Sequence, residues 1–290
     1  MKKIIIGFDL TEIDEILSSY IAFLSKFWQP EHIYILHVTN SLTEYQQEKQ
    51  LVWNTDLSIE EFLKGKLKQT VSKYFSTDLL EKTEFIIGEG NSHEEMLHWS
   101  VVKETDLIVV GRKHSLEGSG MMPQQFALNT PCSVLLIPET ITQNLDTVLI
   151  SCDFSIYSRK ATEIAIALVN KVPYASLYCQ YIFDSPHSWV SKEVYQVEIE
   201  KARNKAETSY EKFILDIDTQ MLTIIPLLAP GNENDDFVRT YQNAKDIDAS
   251  MIIIGAKGRS FINRFFDESF TKKIVEMNNK IPLLIVKMDN

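Results

Sequence analysis

The sequence predicts an α/β protein made of two tandem, doubly wound domains, each a five-stranded parallel sheet flanked by helices. Three observations predict it. The first is a repeat: Met1–Asp9 returns in outline as Leu145–Asp153 and Asp106–Gly111 as Ser250–Gly255, both at an offset of 144. The second is that short apolar runs of strand length alternate with amphipathic stripes at helical spacing, as buried parallel strands covered on both faces require. The third is length. A chain of 290 residues is about two domains, and a unit this long is a duplicated domain, since solenoid repeats recur every ~20–50 residues. The expected boundaries are residues 1–140 and 145–290, joined by the short polar junction Pro138–Leu145.

In the first copy, Lys3–Phe8 is the first strand, and Ile13, Ile16, Leu17, Tyr20, Ile21 and Leu24 form one stripe of a helix. Glu31–Val38 is the second strand. A polar stretch follows, and Ser58-Ile-Glu-Glu61 opens a long helix, Ser58–Phe75, with a capping-box pattern. Glu84–Gly88, Leu107–Val110 and Ser133–Ile137 are the remaining strands, with Ser92-His-Glu-Glu95 capping the helix between the first two of these. The second copy follows the same course, with strands Thr147–Ser151, Ala175–Gln180, Leu222–Leu228, Met251–Ile254 and Leu283–Val286. Ala161, Ile164, Ala165 and Leu168 face inward on its first helix, and a long charged helix runs from Ser191 to about Phe213.

Composition narrows the function classes. A net charge of −11 argues against nucleic acid or an anionic membrane as a partner. No segment approaches the ~18 apolar residues of a membrane span, and Lys2-Lys3 precedes too short an apolar run for a signal peptide. Cys132, Cys152 and Cys179 sit in apolar runs without metal or redox spacing, which reads as buried reduced thiols in a cytoplasmic protein. The six histidines show no ligand spacing, so no metal site is expected. No nucleophile elbow is present, and there are no catalytic residues to name.

Ligands of open parallel sheets bind at the carboxyl ends of strands, where the strand order reverses. That directs attention to Asp9, Val38, Gly88–Asn91 and Gly111, and to their second-copy partners. Asp9 and Asp153 can accept hydrogen bonds from a ligand or cap the following helix, and the two roles are compatible. Gly255-Ala-Lys-Gly258 follows a strand, and a helical pattern resumes near Ser269, a turn that lets backbone approach a phosphate.

Together, the aspartate after strand one, the long second connection, the glycine turn after strand four and the Pro131-Cys-Ser-Val-Leu-Leu-Ile137 ending resemble the universal stress protein family, once per half over nearly the whole chain. The resemblance implies strand order 3-2-1-4-5, which places the reversal between strands one and four. It implies a non-enzymatic stress-response regulator binding ATP or another adenine nucleotide. Asp153 and the backbone at Cys179 would meet the nucleoside, with Gly255, Gly258 and Ser269 at the phosphates, and Asp9, Val38 and Gly111 are the first-copy counterparts. ATP-binding members carry Gly-x2-Gly-x9-Gly-(Ser/Thr) after strand four. The second copy reads Gly255-x2-Gly258-x9-Glu268-Ser269, keeping the spacing but placing a carboxylate where the third glycine belongs. A like-charge contact at ~4 Å costs on the order of 1–4 kcal/mol; Lys257, Arg259 and Arg264 could offset it. The first copy departs further, with His114 at the second glycine and Gly118-Ser119-Gly120 arriving early, so the C-terminal half is the expected nucleotide site. The alternative is a nucleotide-free scaffold with decayed sites that binds an unidentified protein partner. The apolar fifth strands, Ser133–Ile137 and Leu283–Val286, would pair within the chain as an intramolecular pseudo-dimer, with a further homodimer optional.

Overall fold

The computed structural model describes residues 1–39, 58–112, 122–186, 191–231, 236–256, 268–277 and 280–288, and of residues 122, 268 and 269 the backbone alone. The chain divides into two compact units, Met1–Gln143 and Asn144–Met288.

The first unit runs β1 (Lys3–Phe8), α1 (Ile13–Trp28), β2 (His32–Thr39), α2 (Ile59–Val71), α3 (Thr77–Glu81), β3 (Thr83–Glu89), α4 (Ser92–Val102), β4 (Leu107–Arg112), α5 (Met122–Asn129) and β5 (Ser133–Pro138). Its strands are parallel and ordered β3-β2-β1-β4-β5. The second unit runs β6 (Thr147–Ser151), α6 (Ile156–Val169), β7 (Ser176–Asp184), α7 (Lys192–Leu215), β8 (Ile224–Gly231), α8 (Asp236–Asp246), β9 (Met251–Gly255), α9 (Glu268–Met277) and β10 (Leu283–Val286). Its order, β8-β7-β6-β9-β10, is again 3-2-1-4-5, all parallel. Three consecutive residues of each first strand, Ile4–Ile6 and Val148–Ile150, are fully buried. Side chains alternate between sheet faces, so both faces must be covered.

Local signals placed most elements. Ser58 and Glu61 form the reciprocal capping box of α2, and Ser191 caps α7. The helix at Ser92 differs from its expected start: Asn91 is the cap, its Oδ1 accepting from the His93 and Glu94 N–H groups at 2.9 and 3.1 Å, and Ser92 is already helical. The segment Ser58–Phe75 is helical only as far as Val71, and the chain turns into α3, capped by Ser76. Strand β7 runs four residues beyond the expected Gln180, because β8 pairs with it as far as Asp184↔Gly231. Cys152 and Cys179 are buried and free, whereas Cys132 is half-buried. No helix among the described residues is long and apolar enough to cross a membrane.

Candidate functional site

In the first domain a cavity of about 220 Å³ opens at the carboxyl ends of β1, β2 and β4, where the strand order reverses. Asp9, Val38 and Gly111 all line it, so three residues selected from separate segments meet at one place. His37, Leu36, Met96 and Phe126 complete much of the wall. His37 is buried, and its Nδ1 lies 3.0 Å from the Phe8 carbonyl oxygen. A carbonyl accepts only, so Nδ1 carries the proton and Nε2 is left with its lone pair. Burial lowers the His37 pKa, opposed by the Phe8 hydrogen bond and the Asp9 charge.

The aspartate after the first strand caps neither following helix, whose N-cap residues are Glu12, with no side-chain bond, and Ser155; it closes the turn before the helix instead. Asp9 Oδ1 accepts from the Thr11 N–H at 3.1 Å and from the Thr11 hydroxyl. Asp153 Oδ1 accepts from the Ser155 N–H at 3.0 Å and from the Ser158 hydroxyl. The next residue is left-handed in each copy, Leu10 at φ 60° and Phe154 at φ 62°. A second side chain then closes the turn. Asp14, 2% exposed, accepts from the Asp9 and Leu10 N–H groups at 3.2 and 2.8 Å. Ser158, at the same place in the repeat, accepts from one backbone N–H of the turn, that of Asp153, at 3.0 Å. Nothing in the sequence singles out Asp14 and Ser158, since a polar residue in a first helical turn carries no distinguishing signal.

The implied phosphate-loop residues divide. Gly255 ends β9, and a Cβ there would lie 2.6 Å from the Tyr157 carbonyl carbon. The close approach it permits is therefore that of α6 backbone. Gly111 does the same for α1, against the Ile13 side chain at 2.4 Å. Ser269 is the second residue of α9 and Glu268 the first. Gly258, His114, Gly118–Gly120, Lys257, Arg259 and Arg264 lie outside the described residues.

Cys179 was paired with Val38, and the register corrects this. Cys179 faces Ile150 within β7, as Ile35 faces Ile6 within β2, and it is fully buried. Its backbone lies mid-strand between β6 and β8. The residue in the register of Val38 is Ile182. The apolar pattern of β7 gave no sign of where its pairing would end.

The same register, with the repeat offset of 144 for the helices, shows how differently the two domains fill the equivalent strand ends. Leu36 becomes Gln180, His37 becomes Tyr181 and Met96 becomes Thr240. Gln180 is fully buried; its Nε2 donates to Thr240 Oγ1 at 2.8 Å and its Oε1 accepts from Asn243 Nδ2 at 3.2 Å. Thr240 in turn donates to the Asp236 carbonyl at 2.9 Å. Tyr181 packs on Phe154 with ring centroids 4.4 Å apart, and Phe154 meets Phe213 at 5.3 Å. Burial raises the Tyr181 pKa, and the nearby Asp184, Asp153 and Asp236 carboxylates add to the rise.

No family model and no curated protein matches this chain. Among solved structures, a universal stress protein from Archaeoglobus fulgidus matches over 98% of this chain and 96% of its own, with a TM-score of 0.60 at 16% identity. A candidate universal stress protein from Pseudomonas aeruginosa matches over 100% and 94%, with a TM-score of 0.59 at 13% identity. A Pseudomonas aeruginosa protein of unknown function matches over 100% and 93%, at 0.58 and 12%. The chain has the tandem universal stress protein fold. Both copies of that universal stress protein fold are intact here in strand order and register, and they differ in what fills the equivalent strand ends.

Proposed function

We propose that the chain is a tandem universal stress protein acting as a non-enzymatic stress-response regulator, with a small-molecule cleft in its first domain and an adenine-nucleotide site in its second. The observation that carries the reading is the cavity at the strand-order reversal, where Asp9, Val38 and Gly111 converge. Mostly apolar concave sites with a few convergent polar groups are where small ligands bind. For the second domain, support comes from the Gly255-x2-Gly258-x9-Glu268-Ser269 spacing, and the Asp184, Asp153 and Asp236 carboxylates near Tyr181 weigh against it.

Calorimetry of the full chain with Mg-ATP, beside Asp153→Ala and Glu268→Gly, tests the second-domain site. Saturable heat lost in Asp153→Ala supports it. Heat seen only in Glu268→Gly means that the glutamate closes the loop to phosphate. Silence from all three removes ATP from the reading. The second reading, a nucleotide-free interaction scaffold, is favoured by the Gln180–Thr240–Asn243 network at the equivalent strand ends of the second domain and by Val194 and Val197, 45% and 51% exposed on α7.

A further inference from the structure

A larger cavity, about 420 Å³, lies elsewhere in the first domain and shares no lining residue with the strand-end cleft. Its size falls within the ~300–1,000 Å³ of small-molecule sites. Helix α1 turns one stripe to the core, with Leu17, Tyr20, Ile21 and Leu24 fully buried. Ser19, Ala22, Phe23 and Lys26, at i, i+3, i+4 and i+7, form a second stripe, and this one lines the cavity. The connection from α2 to α3, α3 itself and Gln143, the last residue of the unit, close it. Side-chain bonds tie these walls together. Glu15 of α1 accepts from Lys73 Nζ at 2.6 Å and from the Tyr74 hydroxyl at 2.9 Å, and Gln143 Nε2 donates to Ser19 Oγ.

The lining is rich in hydroxyls and balanced in charge. Ser19, Ser25 and Ser76 contribute hydroxyls, which both donate and accept, and the Gln143 amide does the same. The Ser25 oxygen is buried and has no hydrogen-bond partner among the described residues. That is a costly state for a polar atom, and a ligand hydroxyl would relieve it. Lys26 and Asp78 supply one cation and one anion, and Asp78 already pairs with Lys82 at 2.7 Å. A phosphate or carboxylate would meet Lys26 together with Asp78, so the lining gives net negative charge no advantage. From this we infer that the cavity binds a neutral polyhydroxylated ligand of the sugar class. Its hydroxyls meet Ser19, Ser25 and Gln143, and its C–H face lies on the Phe23 ring. This site is independent of the strand-end cleft and of any nucleotide.

Methyl NMR of the full chain, following the Ala22 and Leu79 signals, tests it with maltose, glutamine and glucose 6-phosphate as probes. Maltose is expected to shift both signals saturably, with a Kd at least fivefold lower than that of either other probe. The Ile13 signal, in the strand-end cleft, is expected to stay in place. Ser25→Ala removes the buried hydroxyl and puts a strong helix former in α1. It is expected to weaken maltose about fivefold while the ligand-free spectrum stays folded. Gln143→Ala, outside every helix and strand, provides a second variant with the same expected direction. Equal or tighter binding of glutamine or glucose 6-phosphate at these signals overturns the ligand class. Equal movement of Ile13, or no shift with any probe in a folded spectrum, overturns the site. Unchanged maltose affinity in both variants overturns the assignment of its hydrogen-bond partners.

Discussion

The strand ends at the two order reversals occupy equivalent places in the repeat and solve the same packing problem with different chemistry. In the first domain, apolar residues on β2 and α4 leave a cavity under His37. In the second, Gln180 and Thr240 stand at the same positions and hydrogen-bond to each other, with the Tyr181 and Phe154 rings packed at a tilt of 37° beside them. The turn after the first strand also diverges: a buried carboxylate secures two N–H groups in one copy, and a hydroxyl secures one in the other. A fold can therefore keep strand order and register through duplication while the residues at its strand ends are reassigned.

The largest expected effect is at that turn. Asp14→Ala strands two N–H groups and is expected to cost the first domain about 3 kcal/mol, against about 1 kcal/mol for Ser158→Ala in the second. Denaturant unfolding read domain by domain through hydrogen exchange measures both, and equal losses would break the comparison. Next come the glycines. Gly255→Ala forces a Cβ onto Tyr157 backbone, an overpacking expected to cost about 2–3 kcal/mol, whereas Gly111→Ala meets the Ile13 side chain, which can rotate away for about 1 kcal/mol or less. Reversal of that order in the same unfolding experiment would show that α6 shifts more easily than the Ile13 side chain.

Converting one lining into the other is a finer test. Gln180→Leu removes partners from Thr240 and Asn243 and is expected to cost about 1–2 kcal/mol. Adding Thr240→Met completes the exchange to the first-domain residues. The pair should cost less than the sum of its singles in a double-mutant cycle, and strict additivity would deny that the two side chains act as one network. The smallest effect is pH dependence. Burial holds the His37 pKa below its ordinary 6.5. Between the two values the unfolded chain binds the extra proton, so stability is full above 6.5 and is lost as pH falls from there through the folded value, about 1.4 kcal/mol per unit of depression. Unfolding midpoints of wild type and His37→Asn, measured across that window, should converge as pH falls; parallel curves would remove His37 from the account.

Much of the architecture was legible because it depends on neighbours in sequence. The duplication, the strands Lys3–Phe8, Thr147–Ser151 and Leu283–Val286, and the caps at Ser58 and Ser191 are written in local apolar runs and in hydrogen bonds spanning three residues. Asp9, Val38 and Gly111 were also legible as candidates, since each stands at the carboxyl end of a strand, where parallel sheets gather their ligands. Helix α5 was missed because Met122–Asn129 is short and its apolar stripe weak.

The composition of the strand ends at the order reversals was not legible. Leu36 and Met96, or Gln180 and Thr240, lie 60 positions apart and meet only because β2 or β7 ends beside the first turns of a later helix. Likewise, Gly255 reads in sequence as a phosphate-loop glycine, and only packing shows the Tyr157 backbone against it. The register that separates Cys179 from Ile182 depends on where β6 stops pairing, a property of two strands at once. The sequence by itself determined that there are two doubly wound domains and which strand ends lie at the order reversal of each sheet, because hydrophobic periodicity and caps act over a few residues. Tertiary structure alone decided which side chains share those ends and whether their donors are already taken, because those contacts join segments that the chain brings together only on folding.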